Sequence, residues 1–280
     1  MHRGYRDPEI LLVNNYIQKS KQQLFAEERQ RTILEKLKDE SKVYVPELSE
    51  LFDVTQATIR ADLRELEAKG KLIRTHGGAI PKGRVGDESL PTDKWVSNIK
   101  EKKQIAAAAL NFVQDGDTIA IDTGTTAYEF AKVLPARSRL TIVTNDILIA
   151  ALLEDTTDFD IIVAGGALRK GFHCTMGTKA LESLQGFNVD KAFLASNAFN
   201  INRGFMTPIM THAEIKKCMR EIAHRAVIMM DSTKIGNISL YTHAKLTDID
   251  VFITDSGISR KAREAIRASS AELELVIAGK

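Results

Sequence analysis

Two different spacings of hydrophobic residues divide this chain. Beyond residue 116, short apolar runs typical of buried strands alternate with stretches in which apolar residues recur at helical spacing. We expect strands at 118–121, 140–143, 161–164, 192–195, 226–230 and 251–254, and helices near 127–134, 147–153, 178–184, 213–223 and 259–267. Alternating strands and helices form a mostly parallel sheet, so we predict a doubly wound, Rossmann-like α/β fold with helices on both faces.

Short helices followed by a hairpin are predicted before residue 81. The predicted elements are helices at 27–40, 46–52 and 55–70, a strand at 71–75, a turn at 76–78 and a return strand at 79–80. Asp53 and Val54 form the turn between the second and third helices, while Thr55 suits the N-cap of the third helix and Gly70 suits its end. Two short helices joined by about three residues and followed by a hairpin predict a winged helix-turn-helix.

The third of these helices has two faces of different chemistry. Its apolar residues fall in a narrow sector, and the opposite side combines small residues with guanidinium groups that suit phosphate oxygens or the edge of guanine. An ordinary amphipathic surface helix would explain this helix alone equally well, but the neighbouring helix and hairpin favour contact with DNA. The predicted DNA-binding residues are Thr55, Gln56, Ala57, Thr58, Arg60, Ala61, Arg64, Arg74 and His76.

These residues give the chain a resemblance to the DeoR family of bacterial transcriptional repressors. The matching positions in the head are Arg29, Ile33, Leu37, Thr55, the run from Thr58 to Leu63 and the run from Arg74 to Ala79. The resemblance continues nearly to the C-terminus, through residues 122–126, 144–145, 165–166 and 231–234. It implies a DNA-binding head joined to a sugar-phosphate sensor whose layout resembles that of sugar-phosphate isomerases.

Polar and glycine residues of the second half gather at the ends of the predicted strands, where ligands bind in parallel sheets. The turn at 122–126 would present N–H groups and threonine hydroxyls to a phosphate, although such a turn can also be purely structural. Lys234 would supply a cation, and Asn145 can bond sugar hydroxyls. The predicted effector-binding residues are Asp122, Thr123, Gly124, Thr125, Thr126, Thr144, Asn145, Gly165, Gly166, Asn197, Glu214 and Lys234. For Glu214, the favourable electrostatics of a helix N-terminus offer an alternative explanation.

Length and composition set the expected organisation. The 280 residues, 44% of them hydrophobic, suffice for two domains. We expect an N-terminal arm at 1–24, a DNA-binding domain at 25–80, a linker at 81–92, and a sensing and oligomerisation domain at 93–280 that opens with a helical pattern ending at Gly116. The net charge of +2 does not indicate nucleic acid, although residues 53–84 hold seven basic and four acidic residues.

Metal, disulfide and membrane signals are missing from the sequence. Cys174 and Cys218 lie far apart, and His173 and His212 lack metal-ligand spacing, so we expect structural histidines, reduced thiols and neither metal nor cofactor. The longest apolar run near the N-terminus is too short for a membrane span or a signal-peptide core. We therefore expect a cytoplasmic protein.

Two classes of function fit these patterns. One is a repressor of a carbohydrate-utilisation operon, which leaves operator DNA when a phosphorylated sugar or polyol binds and which acts as a homodimer or tetramer, because one head makes few contacts. The other is a sugar-phosphate isomerase or deaminase, which would need a general base. The enzymes that the chain resembles have an acidic turn where this chain has Ser196-Asn197-Ala198, so we favour the repressor. A second domain that only oligomerises would not need converging polar loops.

Overall fold

The computed structural model describes residues 25–40, 43–75, 77–81 and 91–279. They fall into two compact units, one within 1–83 and the other within 84–280. The predicted arm at 1–24, the wing residue His76 and most of the predicted linker, residues 82–90, lie outside the described residues. None of the described helices has both the length and the apolar character needed to cross a membrane.

The first unit is a winged helix-turn-helix, as predicted. Its described elements are α1 (Ala26–Glu40), β1 (Val43–Tyr44), α2 (Val45–Phe52), α3 (Gln56–Ala68), β2 (Leu72–Thr75) and β3 (Gly78–Pro81). The three strands pair antiparallel in the order β1-β3-β2. Apolar side chains from all three helices, including Ile33, Leu48 and Ile59, are fully buried in one core.

Local hydrogen bonds fix the turn between α2 and α3. Asp53 ends α2 in the left-handed conformation with φ 50°, and the Ser49 hydroxyl donates to the carbonyl of Val54 over 2.6 Å. The Thr55 hydroxyl accepts a hydrogen bond from the Thr58 N–H at 3.2 Å, which confirms the predicted N-cap. In the wing, a Cβ at Gly78 would lie 1.8 Å from the carbonyl oxygen of Val43, so the pairing of β1 with β3 requires glycine there.

The second unit is built on a parallel sheet of seven strands. Its helices and strands in chain order are α4 (Pro91–Val96), α5 (Ile99–Leu110), β4 (Thr118–Ile121), α6 (Thr125–Ala131), β5 (Thr141–Thr144), α7 (Ile147–Thr156), β6 (Asp160–Val163), β7 (Ala167–Arg169), β8 (Cys174–Met176), α8 (Thr178–Leu184), β9 (Val189–Ala195), β10 (Ala198–Asn200), β11 (Gly204–Thr207), α9 (Met210–Glu221), β12 (Ala223–Met229), β13 (Tyr241–Ala244), β14 (Val251–Asp255), α10 (Arg260–Ser269) and β15 (Glu274–Ala278). The sheet order is β15-β14-β12-β9-β4-β5-β6, and every pair is parallel.

Alternating side chains along the strands divide the core into two layers. Ile119 and Ile121 of β4 pack in one layer with α5, α6 and α7, whereas Ala120 packs in the other with α8, α9 and α10. The Phe130 ring of α6 lies 4.4 Å from the Phe193 ring of β9, measured between centroids. This is the doubly wound α/β fold that the sequence predicts.

The strand order changes direction between β4 and β9. From β4 the chain proceeds outward through β5 and β6, and it then returns to β9 on the other side of β4 before proceeding through β12, β14 and β15. Helices leave a crevice at such a switch point, beyond the carboxyl ends of the two strands, and ligands of open parallel sheets bind there. The loops that follow β4 and β9 are therefore where the topology favours a binding site.

Some elements differ from the sequence prediction. The seventh strand, β15, was not predicted, and neither were the hairpin β7–β8 and the antiparallel sheet of β10, β11 and β13. The helical pattern beginning at Asp93 was expected to continue to a stop at Gly116; instead it forms α4 and α5, separated at Ser97 and Asn98, and α5 ends at Leu110. The separation arises because Asn98 adopts a left-handed conformation with φ 51°.

Candidate functional site

The outward face of α3 carries the side chains predicted to contact DNA. Thr55, Gln56, Ala57, Arg60, Ala61 and Arg64 are exposed, and Thr58 is half-buried. The Arg60 guanidinium donates to the Gln56 side-chain oxygen at 3.0 Å. Two small residues beside two arginines leave this face, the arginine face, open to a groove wall, while Ile59 and Leu63 are buried on the opposite side.

Two acidic residues of α3, Asp62 and Glu65, are hydrogen-bonded to other residues of the head. Asp62 is 4% exposed and accepts two hydrogen bonds from Arg29 of α1, at 2.5 Å to Nε and 3.0 Å to Nη2. Glu65 accepts from Lys69 and from Gln30, each at 2.7 Å, and these hydrogen bonds hold the pKa of Glu65 below its usual value.

The wing also contributes a cation. Arg74 of β2 is exposed, and its Nε lies 3.8 Å from a carboxylate oxygen of Glu67 near the end of α3. The same glutamate accepts the backbone N–H of Arg74 at 3.0 Å. This contact fixes the start of the wing relative to α3 within the head.

In the second unit, the loop after β4 is joined to β9 and to α9. The Asp122 carboxylate is 1% exposed, accepts the Ala195 N–H at 3.0 Å and forms a close ion pair with Lys216. A Cβ at Gly124, where φ is 138°, would lie 3.5 Å from the Ala195 Cβ. Thr123, Gly124 and Thr125 are half-exposed, so these three residues, rather than buried Asp122, are available at the switch point.

The same loop is joined to the loop after β5. Asp146 accepts a hydrogen bond from the Thr123 hydroxyl at 2.7 Å and caps α7 by accepting the N–H groups of Leu148 and Ile149 at 2.9 and 3.1 Å. Burial raises the pKa of Asp146, and the hydrogen bond from Thr123 opposes that shift. Thr144 is buried and donates to the carbonyl of Ile121 at 2.7 Å, while Thr126 is buried within α6.

Asn145 and the glycines after β6 adjoin the β7–β8 hairpin. The Asn145 amide donates to the Thr175 carbonyl at 3.0 Å, and its side-chain oxygen is buried without a partner among the described residues. A Cβ at Gly166 would lie 2.8 Å from the Met176 carbonyl, so this position requires glycine, whereas a Cβ at Gly165 would meet no atom within 4 Å. An orphaned buried acceptor is uncommon in a folded protein and is suited to a hydroxyl donor.

Lys234 lies at the carboxyl end of β12. This strand is two positions away from β4 in the sheet, so the axes of the two strands are about 10 Å apart. It occupies a short 3-10 helix, Ser232–Lys234, and its Nζ lies 3.1 Å from an oxygen of buried Asp231. Burial opposes ionisation of Asp231, but Lys234 and other donors hold its pKa below the usual value. The Lys234 side chain is 28% exposed and therefore accessible from solvent.

Two predicted effector-binding residues are not placed to bind a ligand at the strand ends: one lies elsewhere on the surface, and the other is hydrogen-bonded to a neighbouring side chain. Glu214 is exposed on α9 and lines a surface groove with Leu181 and Gln185 of α8, so the structure does not bring it to the strand ends. The Glu214 side chain points in a different direction from that of Lys216, because residues two apart on a helix do not share a face. Asn197 is half-buried, and its side-chain oxygen accepts from the Thr207 hydroxyl at 3.0 Å.

Sequence reasoning missed several residues at these strand ends. Neither Lys216 nor Asp146 is among the predicted effector-binding residues. His212 is buried, with its Nε2 3.8 Å from the Cys174 sulfur and 3.4 Å from Arg169. Burial raises the pKa of Cys174 to about 11, so the thiol stays protonated at neutral pH. The described residues contain no cluster of three or more His, Cys, Asp or Glu that could hold a metal.

A winged helix-turn-helix with an exposed arginine face, on a chain that also contains a doubly wound α/β unit, defines a DNA-binding regulator. Family models agree with this class: the DeoR-like helix-turn-helix domain matches residues 29–82, and the DeoR C terminal sensor domain matches residues 97–256. The chain belongs to the DeoR family of transcriptional regulators.

Similar curated proteins extend over most of the chain. An uncharacterized HTH-type transcriptional regulator of Bacillus subtilis, YulB, is 35% identical over 89% of this chain and 96% of its own length. The HTH-type transcriptional regulator GlpR of Haloferax volcanii is 36% identical over 86% and 94%, and a putative aga operon transcriptional repressor of Escherichia coli O157:H7 is 31% identical over 89% and 93%.

Among solved structures, a D-ribose-5-phosphate isomerase in complex with phospho-erythronic acid is similar over 48% of this chain and 52% of its own. Its TM-score is 0.36 at 20% sequence identity. A likeness of that extent says nothing about the chemistry of this chain.

Proposed function

We propose that this protein is a transcriptional repressor that leaves its operator DNA when a phosphorylated sugar or polyol binds at the carboxyl ends of β4, β5 and β12. The observation that carries the proposal is the set of half-exposed donors at the switch point, on the same chain as the arginine face of α3. A relative described as a putative aga operon transcriptional repressor supports repression as the mode of action.

In this proposal the strand-end cluster, comprising Thr123–Thr125, Asn145 and Lys234, binds the effector. The Thr125 hydroxyl and the Lys234 ammonium are suited to phosphate oxygens, and the unpartnered Asn145 oxygen is suited to a sugar hydroxyl. Asp122 and Thr126, which are buried, and Thr144 and Gly166 position these groups. Glu214 and Asn197 have no part in it, because the first lies on the outer side of α9 and the second is hydrogen-bonded to Thr207.

The same geometry favours a sensor over an enzyme. Each carboxylate of these loops already has partners: Asp122 pairs with Lys216, Asp146 accepts from Thr123 and α7, Asp231 pairs with Lys234, and Asp255 accepts the N–H and hydroxyl of Ser232. A general base needs a carboxylate free to approach the substrate. We therefore propose that the protein has no isomerase or deaminase turnover, and a saturable conversion of a sugar phosphate by the purified protein would contradict this.

We further propose that the protein acts in the cytoplasm as a homodimer or homotetramer. One α3 helix and one wing offer few contacts, so tight operator binding requires two heads on repeated half-sites. Sedimentation of the purified chain with and without operator DNA measures the number of copies.

The effector is to be identified by thermal shift. The purified chain is screened against phosphorylated pentoses, hexoses and polyols, because a ligand at 100 times its dissociation constant adds about 2.7 kcal/mol of stability. The unphosphorylated parent of each compound serves as its control. Stabilisation by the parents as strongly as by the phosphates would contradict a phosphate site.

Lys234→Ala then tests the site in a DNA-binding titration. Loss of a charged hydrogen bond costs roughly 1.5–3 kcal/mol, so release from DNA should need about 10- to 100-fold more ligand. Affinity for DNA without ligand should stay unchanged, since Lys234 is not part of the head. Lys179→Ala, which removes an 81% exposed lysine of α8, is the matched control. A variant that responds to ligand like the parent would place the phosphate elsewhere.

A further inference from the structure

The first described part of the second unit, residues 91–98, lies against two of the effector-site elements. We call it the strap; it consists of α4 with Ser97 and Asn98. The Trp95 ring contacts the Tyr128 ring of α6 edge-on, with 5.0 Å between centroids, and α6 directly follows Gly124. The Lys94 ammonium lies 5.2 Å from the centroid of the Phe172 ring, in the hairpin that follows Gly166.

A third contact joins the strap to the loop of Lys234. The Asn98 side-chain amide donates to Asp231 at 3.1 Å and lies 3.2 Å from the Thr233 hydroxyl. Asp231 is the same carboxylate that pairs with Lys234. Asn98 and Lys234 contact different oxygens of Asp231, so this one carboxylate joins the strap to the cation that is suited to a phosphate.

The kink at Asn98 has an alternative conformation. A left-handed conformation is unfavourable for residues other than glycine, and asparagine tolerates it best among the rest. The hydrophobic pattern on both sides of the kink is that of one continuous helix. If Asn98 became right-handed, α4 and α5 would join into such a helix and α4 would change direction.

A buried lysine holds the kinked form. Lys102 is 2% exposed, and its Nζ donates to the carbonyls of Lys94 and of Ser97, the latter at 2.6 Å. These carbonyls lie at the end of α4, where a helix lacks internal partners. Burial, followed by the charge of Lys234, lowers the pKa of Lys102 to about 8. Lys102 therefore interacts with the charge of Lys234 as well as with the end of α4.

We infer that the strap is a two-state element, hinged at Asn98, through which occupation of the strand-end cluster is transmitted toward the DNA-binding head. The inference rests on the proposed function. A phosphate that attracts Lys234 away from Asp231 leaves that carboxylate with the hydrogen bonds from Asn98 and Thr233. The hydrogen bond from Asn98 to the unpaired carboxylate strengthens, and the kinked strap is favoured over the continuous helix.

The test uses the full chain, with inorganic phosphate as the probe and chloride at equal ionic strength as its control. Trp95 is the single tryptophan of the chain, so its emission reports on the strap, and hydrogen exchange of residues 91–102 reports on the kink. Couplings between sites are typically about 5- to 150-fold. Phosphate should therefore slow exchange of these amides at least about 5-fold in the parent, with a saturable change in Trp95 emission.

Asn98→Ala and Asn98→Gly separate the strap from the site. Both remove the bond to Asp231, and glycine does so without penalty for the left-handed backbone. Both should retain thermal stabilisation by phosphate but lose the emission and exchange responses, whereas Asn111→Ala, at the other end of α5, should behave like the parent. A full strap response in both Asn98 variants would overturn the inference and leave the site standing. Absence of phosphate stabilisation in the parent would overturn the site and the inference together.

Discussion

The buried ion pair of the head allows a quantitative prediction. Asp62→Leu leaves the Arg29 guanidinium, whose side chain is 8% exposed, without the carboxylate that accepts two of its hydrogen bonds. Removing one partner of a buried pair costs about 3–5 kcal/mol, because the remaining charge stays desolvated. A head of about 55 residues has roughly 3–8 kcal/mol of stability at 0.05–0.15 kcal/mol per residue. The variant head should therefore lose a large part of its stability.

Urea unfolding of the full chain measures this loss, followed by circular dichroism for the helices and by Trp95 emission for the second unit. The helical signal of the head should disappear at lower urea while the Trp95 transition stays in place. The control is Arg29→Met with Asp62→Leu, since apolar replacement of both partners is often neutral or stabilising. A single variant as stable as the parent, or a double variant no better than the single one, would refute the desolvation argument.

Three further predictions concern single residues. Arg60→Ala should weaken operator binding by roughly 1–3 kcal/mol and relax the sequence preference at one base pair. Fluorescence anisotropy with operator and scrambled DNA measures both effects. Unchanged affinity would show that Arg60 does not contact DNA. Gly78→Ala should destabilise the head by at least about 1–3 kcal/mol in urea unfolding, because its Cβ would lie 1.8 Å from the Val43 carbonyl oxygen. Gly77→Ala is the control, since a Cβ there would meet no atom within 4 Å. The Cys174 thiol, whose pKa burial raises to about 11, should resist iodoacetamide at pH 8 in the native chain and react in urea, and rapid native alkylation seen by mass spectrometry would contradict its burial.

The winged helix-turn-helix was predictable because its signals are local. Thr55 caps α3 through a residue three positions away, and the apolar spacing of α2 and α3 matches their buried faces. Strand positions in the second unit were predictable for the same reason, since buried parallel strands form continuous apolar runs. The antiparallel strands β10 and β11, Ala-Phe-Asn and Gly-Phe-Met-Thr, include polar residues and glycine and lack such a run.

Contacts between distant residues were not predictable from spacing. Asp122 and Lys216 are 94 positions apart, so nothing in the sequence showed that Asp122 would be used by an ion pair instead of facing a ligand. The kink at Asn98 was missed because helical periodicity records which residues are apolar and not the backbone conformation between two turns. The side chain of Asn98 also donates to Asp231, another contact that only the fold creates.

Net charge gave no signal for DNA binding because the head contains acidic residues, but these are paired with other side chains. The chain carries only +2 overall, yet Asp62 is buried against Arg29, and Glu65 is hydrogen-bonded to Lys69 and Gln30. Both carboxylates are neutralised by these partners, whereas Arg60 and Arg64 are exposed on the arginine face. A nearly neutral chain can therefore present a locally positive surface. The buried pair of Arg29 and Asp62, which costs desolvation energy, thus also removes a negative charge from the surface of α3.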